Sequence, residues 1–443
     1  MNITSSLIRK TIILIFFIFP SITYGKYEDI SLEEKIYGLS LIWSNAKEHF
    51  VFLDTDVASK LDESYIEYIS KVADMDGIHD YYKALSRFSA LLNDGHTKVF
   101  PPLQHFRENI DWPDVYLNEI EGEILVTSVG QSYIGAIPLG STVLEVEEIP
   151  VRDYLAMEVF PYSHGSSYRD RWNLSVSNAF MGLAGSTVNI TYRRPSGELG
   201  KAELTRNSKS YDDTIDHVDI FKPKRKSVEF SMLSDDIAYV SINNLRSDDV
   251  FTSFMSVFED ITKAKGLIID LRANGGGDTS VVNKIIPYLI NQEVQSSSWK
   301  TRISNSYNEA RKGRTSEHWF NGNGKTLTPH GKAINIPTHV LIGRNTGSAA
   351  LDFLVYLNKL ERFTKYGETT NSSTGQPMSF DLPGGGKGII CVKHDFFPSG
   401  EEFVGIGIKP DVTVELKKAR ILKGYDDVLQ IALYDLKSKL EAR

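Results

Sequence analysis

VLIGRNTGSAALDF, residues 340–353, is the stretch from which the chain is best read. Val340, Leu341 and Ile342 suit a buried central strand, Gly343 breaks it, and Ala350, Leu351, Leu354, Val355 and Leu357 fall at the spacing of an apolar helix face. Ser348 therefore stands on a strand-to-helix turn. Its hydroxyl has two readings there: an N-cap that accepts a bond from a free helix amide, or a nucleophile held where the helix N-terminus favours negative charge. Caps are far commoner than nucleophiles, so this stretch alone does not choose.

A second stretch, GLIIDLRANGGGD at residues 266–278, repeats the pattern of a buried strand followed by glycines. Leu267, Ile268 and Ile269 make the strand, and Gly275, Gly276 and Gly277 open backbone conformations closed to other residues. Bare amides in such a loop can face a substrate, as the donors of an oxyanion hole must. The plainer alternative is a glycine turn that merely enters a helix from about Thr279.

Taken together, GLIIDLRANGGG and NTGSAALDF resemble the C-terminal processing (tail-specific) protease family of serine peptidases, peptidase family S41, which also includes the tricorn core protease and the interphotoreceptor retinoid-binding protein. The resemblance places Ser348 on the family's nucleophile and implies an oxyanion hole from Gly275 or Gly276 together with Ala349. Leu351 takes the position of the family's usual acid, with Asp352 one residue late. It also implies a multidomain α/β protein with an α/β core of the ClpP/crotonase type.

Before that core the chain divides by pattern. Residues 1–25 carry Arg9 and Lys10, an apolar run from Thr11 to Pro20 and a small-residue segment ending at Gly25, which reads as a signal peptide. Its apolar run is too short to favour a membrane span, so no stable span is expected after cleavage. Residues 26–108 read as a helical domain capping the core, with Leu32, Ile36, Leu39 and Ile42, then Ile78, Tyr82, Leu85, Phe88 and Leu92, at helical spacing. Residues 109–208 alternate as strands do, and their middle portion looks like the second half of a PDZ domain, a module that adds extended chain ends to a sheet edge. An insertion at residues 158–183, containing FPYSHGSSYRDRW, departs from that pattern and reads as a lid or as part of the cleft wall. Residues 209–443 are the peptidase-like core, alternating strand with helix and closing on an amphipathic helix over residues 426–442.

The base is the open question. The lysine-dependent branch of the family carries its lysine in a run that here reads GETTNSSTGQ, residues 367–376, and the lysine is missing. Ser373 or Ser372 stands at its position, depending on the direction of counting, and neither hydroxyl is a base at neutral pH. Lys365 just before the loop reads as a solvated lysine. DGHT, residues 94–97, resembles the motif from which the histidine-using branch draws its base, and a neutral imidazole suits that task, so the resemblance assigns His96. The closing pattern FFPSGEEFVGIGIKPD offers Glu401 or Glu402 to orient the imidazole, and Glu402 is the candidate taken.

Composition limits the partners. Hydrophobic content of 41% with 24% charged residues is ordinary for a globular protein. Net charge is −8 and becomes −10 without Arg9 and Lys10, which argues against nucleic-acid binding. Cys391 is the only cysteine, so no disulfide forms within the chain. GNGK at residues 322–325 mimics part of a phosphate loop, but Trp319 stands where that loop needs a glycine and no strand pattern precedes it. No metal or organic cofactor is implied. The expectation is an exported serine endopeptidase, periplasmic or at the cell surface, acting on peptides or unstructured chain ends. The competing reading is a non-catalytic binding protein for a peptide or apolar ligand on the same scaffold. No sequence signal bears on oligomeric state.

Overall fold

The structure is a computed structural model that describes residues 30–207, 216–222, 224–234, 236–303, 310 and 318–442. The expected signal peptide lies outside the described residues.

The core is a six-stranded sheet in the order Val228–Ser234, Ile237–Ile242, Gly266–Asp270, Thr338–Ile342, Phe363–Gly367 and Val412–Thr413. Its first pair is antiparallel and all others are parallel. Parallel strands need crossovers, and the helices α5 (Asp248–Lys263), α6 (Thr279–Ile285) and α7 (Ala349–Leu357) lie within them. Successive strand residues point to opposite faces, and here each face is covered. Leu267, Ile269, Val340 and Ile342 pack with residues of α5 to α7, whereas Ile268 and Leu341 pack against Val428, Ala432 and Leu436 of the closing helix α8 (Asp427–Glu441). Burial on both sides is why these strands are unbroken apolar runs. The antiparallel edge strand before Ile237, whose burial is only partial, had no such run to announce it.

The helical layer is built from α1 (Leu32–His49), α2 (Thr55–Ala73) and α3 (Gly77–Ala90). Ser31 starts α1 with a capping box, its hydroxyl accepting the Glu34 N–H while the Glu34 carboxylate accepts the Ser31 N–H. Their apolar faces meet Leu382, Ile390 and Cys391, so the helical layer is docked on the hairpin Pro377–Leu382 with Gly386–Cys391. The short strand Lys98–Phe100 extends that hairpin by pairing with Gly386–Cys391.

A seven-stranded antiparallel sheet occupies the middle of the sequence, with Val115–Ile120, Glu123–Val129, Thr142–Val146, Thr187–Arg193 and Leu199–Thr205 as its longer strands. The expected strands are present. The insertion at 158–183 contains α4 (Tyr168–Ser177), whose Trp172 and Val176 join the core of this sheet.

GNGK departs from expectation: strand His318–Gly322 does run into it. A strand, Thr326–Leu327, follows where a phosphate loop requires a helix.

Candidate active site

Strands Gly266–Asp270 and Thr338–Ile342 are parallel neighbours, with Asp270 opposite Leu341, so the loops leaving their carboxyl ends emerge side by side. Those loops are the glycine run and the Ser348 turn. The Thr346 hydroxyl accepts the Gly343 N–H at 3.0 Å and donates to the Leu271 carbonyl at 2.9 Å, and the Gly347 N–H donates to the Asn274 carbonyl at 3.0 Å. Asn274 is fully buried; its amide donates to the Ile242 carbonyl at 2.9 Å and its Oδ1 accepts the Gly276 N–H at 2.9 Å.

Ser348 does not cap its helix: no helix amide donates to its hydroxyl. Its backbone has φ 52° and ψ −129°, a conformation that costs a non-glycine residue about 1–3 kcal/mol and persists only where surroundings enforce it. The effect is to turn the hydroxyl away from the helix and toward His96, whose Nε2 lies 3.2 Å from Ser348 Oγ. Ala349 opens α7, so its N–H has no intrahelical acceptor. Gly276 has φ 101°, and a β-carbon there would stand 2.5 Å from the Ser348 β-carbon and 2.9 Å from the Ala349 nitrogen.

The two glycines are thus distinguished. The Gly276 N–H is held by Asn274, whereas the Gly275 N–H has no acceptor among the described residues. Both glycines line a cavity of about 520 Å³ together with Asn243, Asn244, Arg246, Asn345 and Asn371.

His96 arrives from 252 residues away in sequence. It follows the Asp94–Gly95 turn and precedes strand Lys98–Phe100, and the pairing of that strand with Gly386–Cys391, reinforced by the Cys391 N–H on Thr97 Oγ1 at 3.0 Å, brings it over the serine. Burial holds its pKa below the ordinary value; Asp94 pulls upward, and Lys98 and Lys393 push further down. A histidine so placed is neutral near pH 7, as a base must be. Its Nδ1 is buried and has no hydrogen-bond partner among the described residues.

Glu402 does not meet His96. It is exposed and faces His394, with 4.0 Å between Glu402 Oε1 and His394 Nε2, because residue 402 bridges to Phe396 at the far end of strand His394–Phe396. Lys365 is a structural residue, buried and paired with Asp411 at 3.0 Å. Leu351 is core, and Asp352, one turn beyond Ser348, is buried and accepts the Thr279 hydroxyl at 2.5 Å.

The loop that lacks the lysine holds the insertion instead. The Ser372 N–H donates to Asp170 Oδ2 at 2.8 Å, and the Ser372 hydroxyl bonds to the same oxygen. Ser373 Oγ donates to Ser166 Oγ at 2.9 Å, and the Ser373 carbonyl accepts the Ser348 N–H at 2.9 Å. Ser166 and Asp170 were not singled out from sequence, although the segment containing them reads as a cleft wall. Lys393 and Asp395 were missed altogether; they pair at 2.8 Å with Asp395 buried and Lys393 partly exposed, and burial pushes the Asp395 carboxyl up to about 7.

A serine lifted out of its helix cap, an imidazole on its hydroxyl and free amides beside it are the equipment of a serine-type peptidase. Residues 236–414, the core sheet with its glycine loop and serine turn, match peptidase family S41. Among solved structures it is similar to mature CPAF, at 15% identity over 90% of this chain and 96% of that one, with a TM-score of 0.71. Mature CPAF complexed with lactacystin gives 14% identity, 93% and 98% coverage, and a TM-score of 0.71. The likeness to these two structures is one of fold.

Proposed function

We propose that the chain is an exported endopeptidase in which Ser348 attacks the scissile carbonyl while His96 takes the hydroxyl proton and returns it to the leaving amine. The Gly275 and Ala349 N–H groups receive the negative charge that develops on the carbonyl oxygen, and water later repeats the sequence on the acyl-enzyme. The observation that carries this reading is the 3.2 Å approach of His96 Nε2 to Ser348 Oγ at a serine whose backbone is strained away from capping. Substrates are peptides or unstructured chain ends. Residues 109–208, taken as a PDZ-like domain between the helical domain at 26–108 and the core at 209–443, present them as an added strand. Export rests on residues 1–25, and N-terminal sequencing of protein recovered outside the cytoplasm should begin at Lys26.

Labelling with a fluorophosphonate tests the chemistry. The wild-type protein takes up one label, Ser348→Ala none, and His96→Ala labels at least about 10²-fold more slowly. A wild-type protein inert to the probe at every pH would favour a binding protein on the same scaffold.

A further inference from the structure

His96 carries an imidazole whose Nδ1 is buried without a partner, and the candidate acid Glu402 is elsewhere. A ring that must accept a proton at Nε2 needs its orientation fixed and its charged form compensated by something else. The side-chain bonds nearby close a circuit. The His96 main-chain N–H donates to Asp94 Oδ2 at 3.0 Å, and Asp94 Oδ1 accepts the Ser166 hydroxyl at 2.9 Å. The Ser166 N–H donates to Ser373 Oγ at 3.2 Å, and Ser373 Oγ in turn lies 2.9 Å from Ser166 Oγ. The Ser373 carbonyl accepts the Ser348 N–H at 2.9 Å, and Ser348 Oγ meets His96 Nε2 at 3.2 Å.

We propose that Asp94, Ser166 and Ser373 are positioning residues whose hydrogen-bonded circuit, passing through the insertion at 158–183, fixes the His96 backbone against the Ser348 backbone. The proposal rests on the catalytic reading of His96 and Ser348. Asp94 is 2% exposed, so its bonds are made in a dry setting where an unmade one is expensive. Gly95 belongs to the same design: a β-carbon there would lie 2.2 Å from Ser373 Oγ, so only glycine lets the histidine turn close onto the serine loop. Further contacts hold the insertion across both loops. Arg171 bonds to the Asn93 side-chain oxygen, Arg169 to the Thr370 carbonyl, and His164 Nε2 lies 3.0 Å from Ser89 Oγ. The position where a lysine base is missing is therefore occupied by a residue that anchors the histidine.

Asp94 has a second part. The charged groups acting on His96 are Asp94 from its own turn, Lys98 from the strand that follows and Lys393 from the strand end opposite. Asp94 alone among them favours the imidazolium, so it stands in for the acid on Nδ1 through space. Because Ser166 belongs to the β-rich middle of the chain, displacing that sheet from the core would open the circuit and slacken the catalytic pair.

Two measurements test this on the full mature chain. Fluorophosphonate inactivation kinetics separate binding of the probe from reaction: Ser166→Ala and Ser373→Ala should lower the maximal inactivation rate by about 10²-fold with the probe's dissociation constant unchanged, and Ser166→Thr, which keeps the hydroxyl, should recover most of it. Nitrogen-15 imidazole NMR of His96 needs no catalysis, and Asp94→Asn should lower its pKa by about one unit. Wild-type inactivation rates in both alanine variants would overturn the proposal. If wild type proves inert to the probe, the catalytic reading fails on its own, and the NMR titration still decides the placement of Asp94: an unmoved His96 pKa sinks it.

Discussion

A β-carbon on Gly276 would stand 2.5 Å from the β-carbon of Ser348, so the glycine loop and the serine turn are packed as closely as backbone allows. Gly276→Ala is blocked twice, by this contact and by φ 101°. The variant should lose activity by at least about 10²-fold and unfold at lower temperature. Gly275→Ala meets only the Asn345 carbonyl, at 4.0 Å, and keeps its N–H, so it should retain most of its activity. Parallel assays of the two purified variants make the comparison; equal losses would contradict the division of labour between the glycines.

Glu402→Gln should leave the rate of probe labelling within about twofold of wild type, since solvent-exposed charges contribute little. It faces His394, whose pKa burial pushes down to about 4 so that the ring is neutral at pH 7, and not His96. A large loss in this variant would mean that the strand end swings onto the imidazole during reaction.

The pH profile follows from His96. Its base form is the neutral one, and burial depresses its pKa, so activity should rise through a midpoint below the ordinary histidine value of about 6.5. Initial rates of labelling between acid and neutral pH locate that limb. A midpoint above the ordinary value would require a carboxylate on Nδ1, where none stands among the described residues.

His164 should make the fold acid-sensitive independently of catalysis. Burial pushes its pKa down to about 3, so between about 6.5 and that value the unfolded chain binds a proton that the native protein refuses. Stability contributed by this site therefore falls as pH drops through the window. His164→Gln, which can keep a bond to Ser89, should flatten the decline, as thermal unfolding at pH 7 and pH 5 would register.

The parts of this molecule that were legible in sequence are those where one pattern has one physical cause. Runs such as Leu267 to Ile269 are apolar because both faces of the sheet are covered, and Gly276 and Gly277 are glycines because no β-carbon fits there. His96 was legible only through its motif, since nothing local tells that a strand pairing will carry it 252 positions to the serine. Glu402 faces His394 because residue 402 bridges to Phe396, a pairing that a short motif does not reveal. Ser166, Ser373 and Asp170 were illegible as site residues, because serines and aspartates in polar loops are commonplace and their pairing depends on tertiary contact.

The distance in sequence between the members of the circuit also bears on when the protein becomes dangerous. Asp94 and His96 come early, Ser166 in the middle, Ser348 and Ser373 late, and none of the bonds among these three groups is local. Contacts of such long range form only once the intervening loops have closed. A nascent, threaded or half-folded chain holds the same serine and histidine but in separate pieces. The fold thus acts as its own safety catch: a chain whose loops have not yet closed keeps its serine and histidine apart and cannot cut itself.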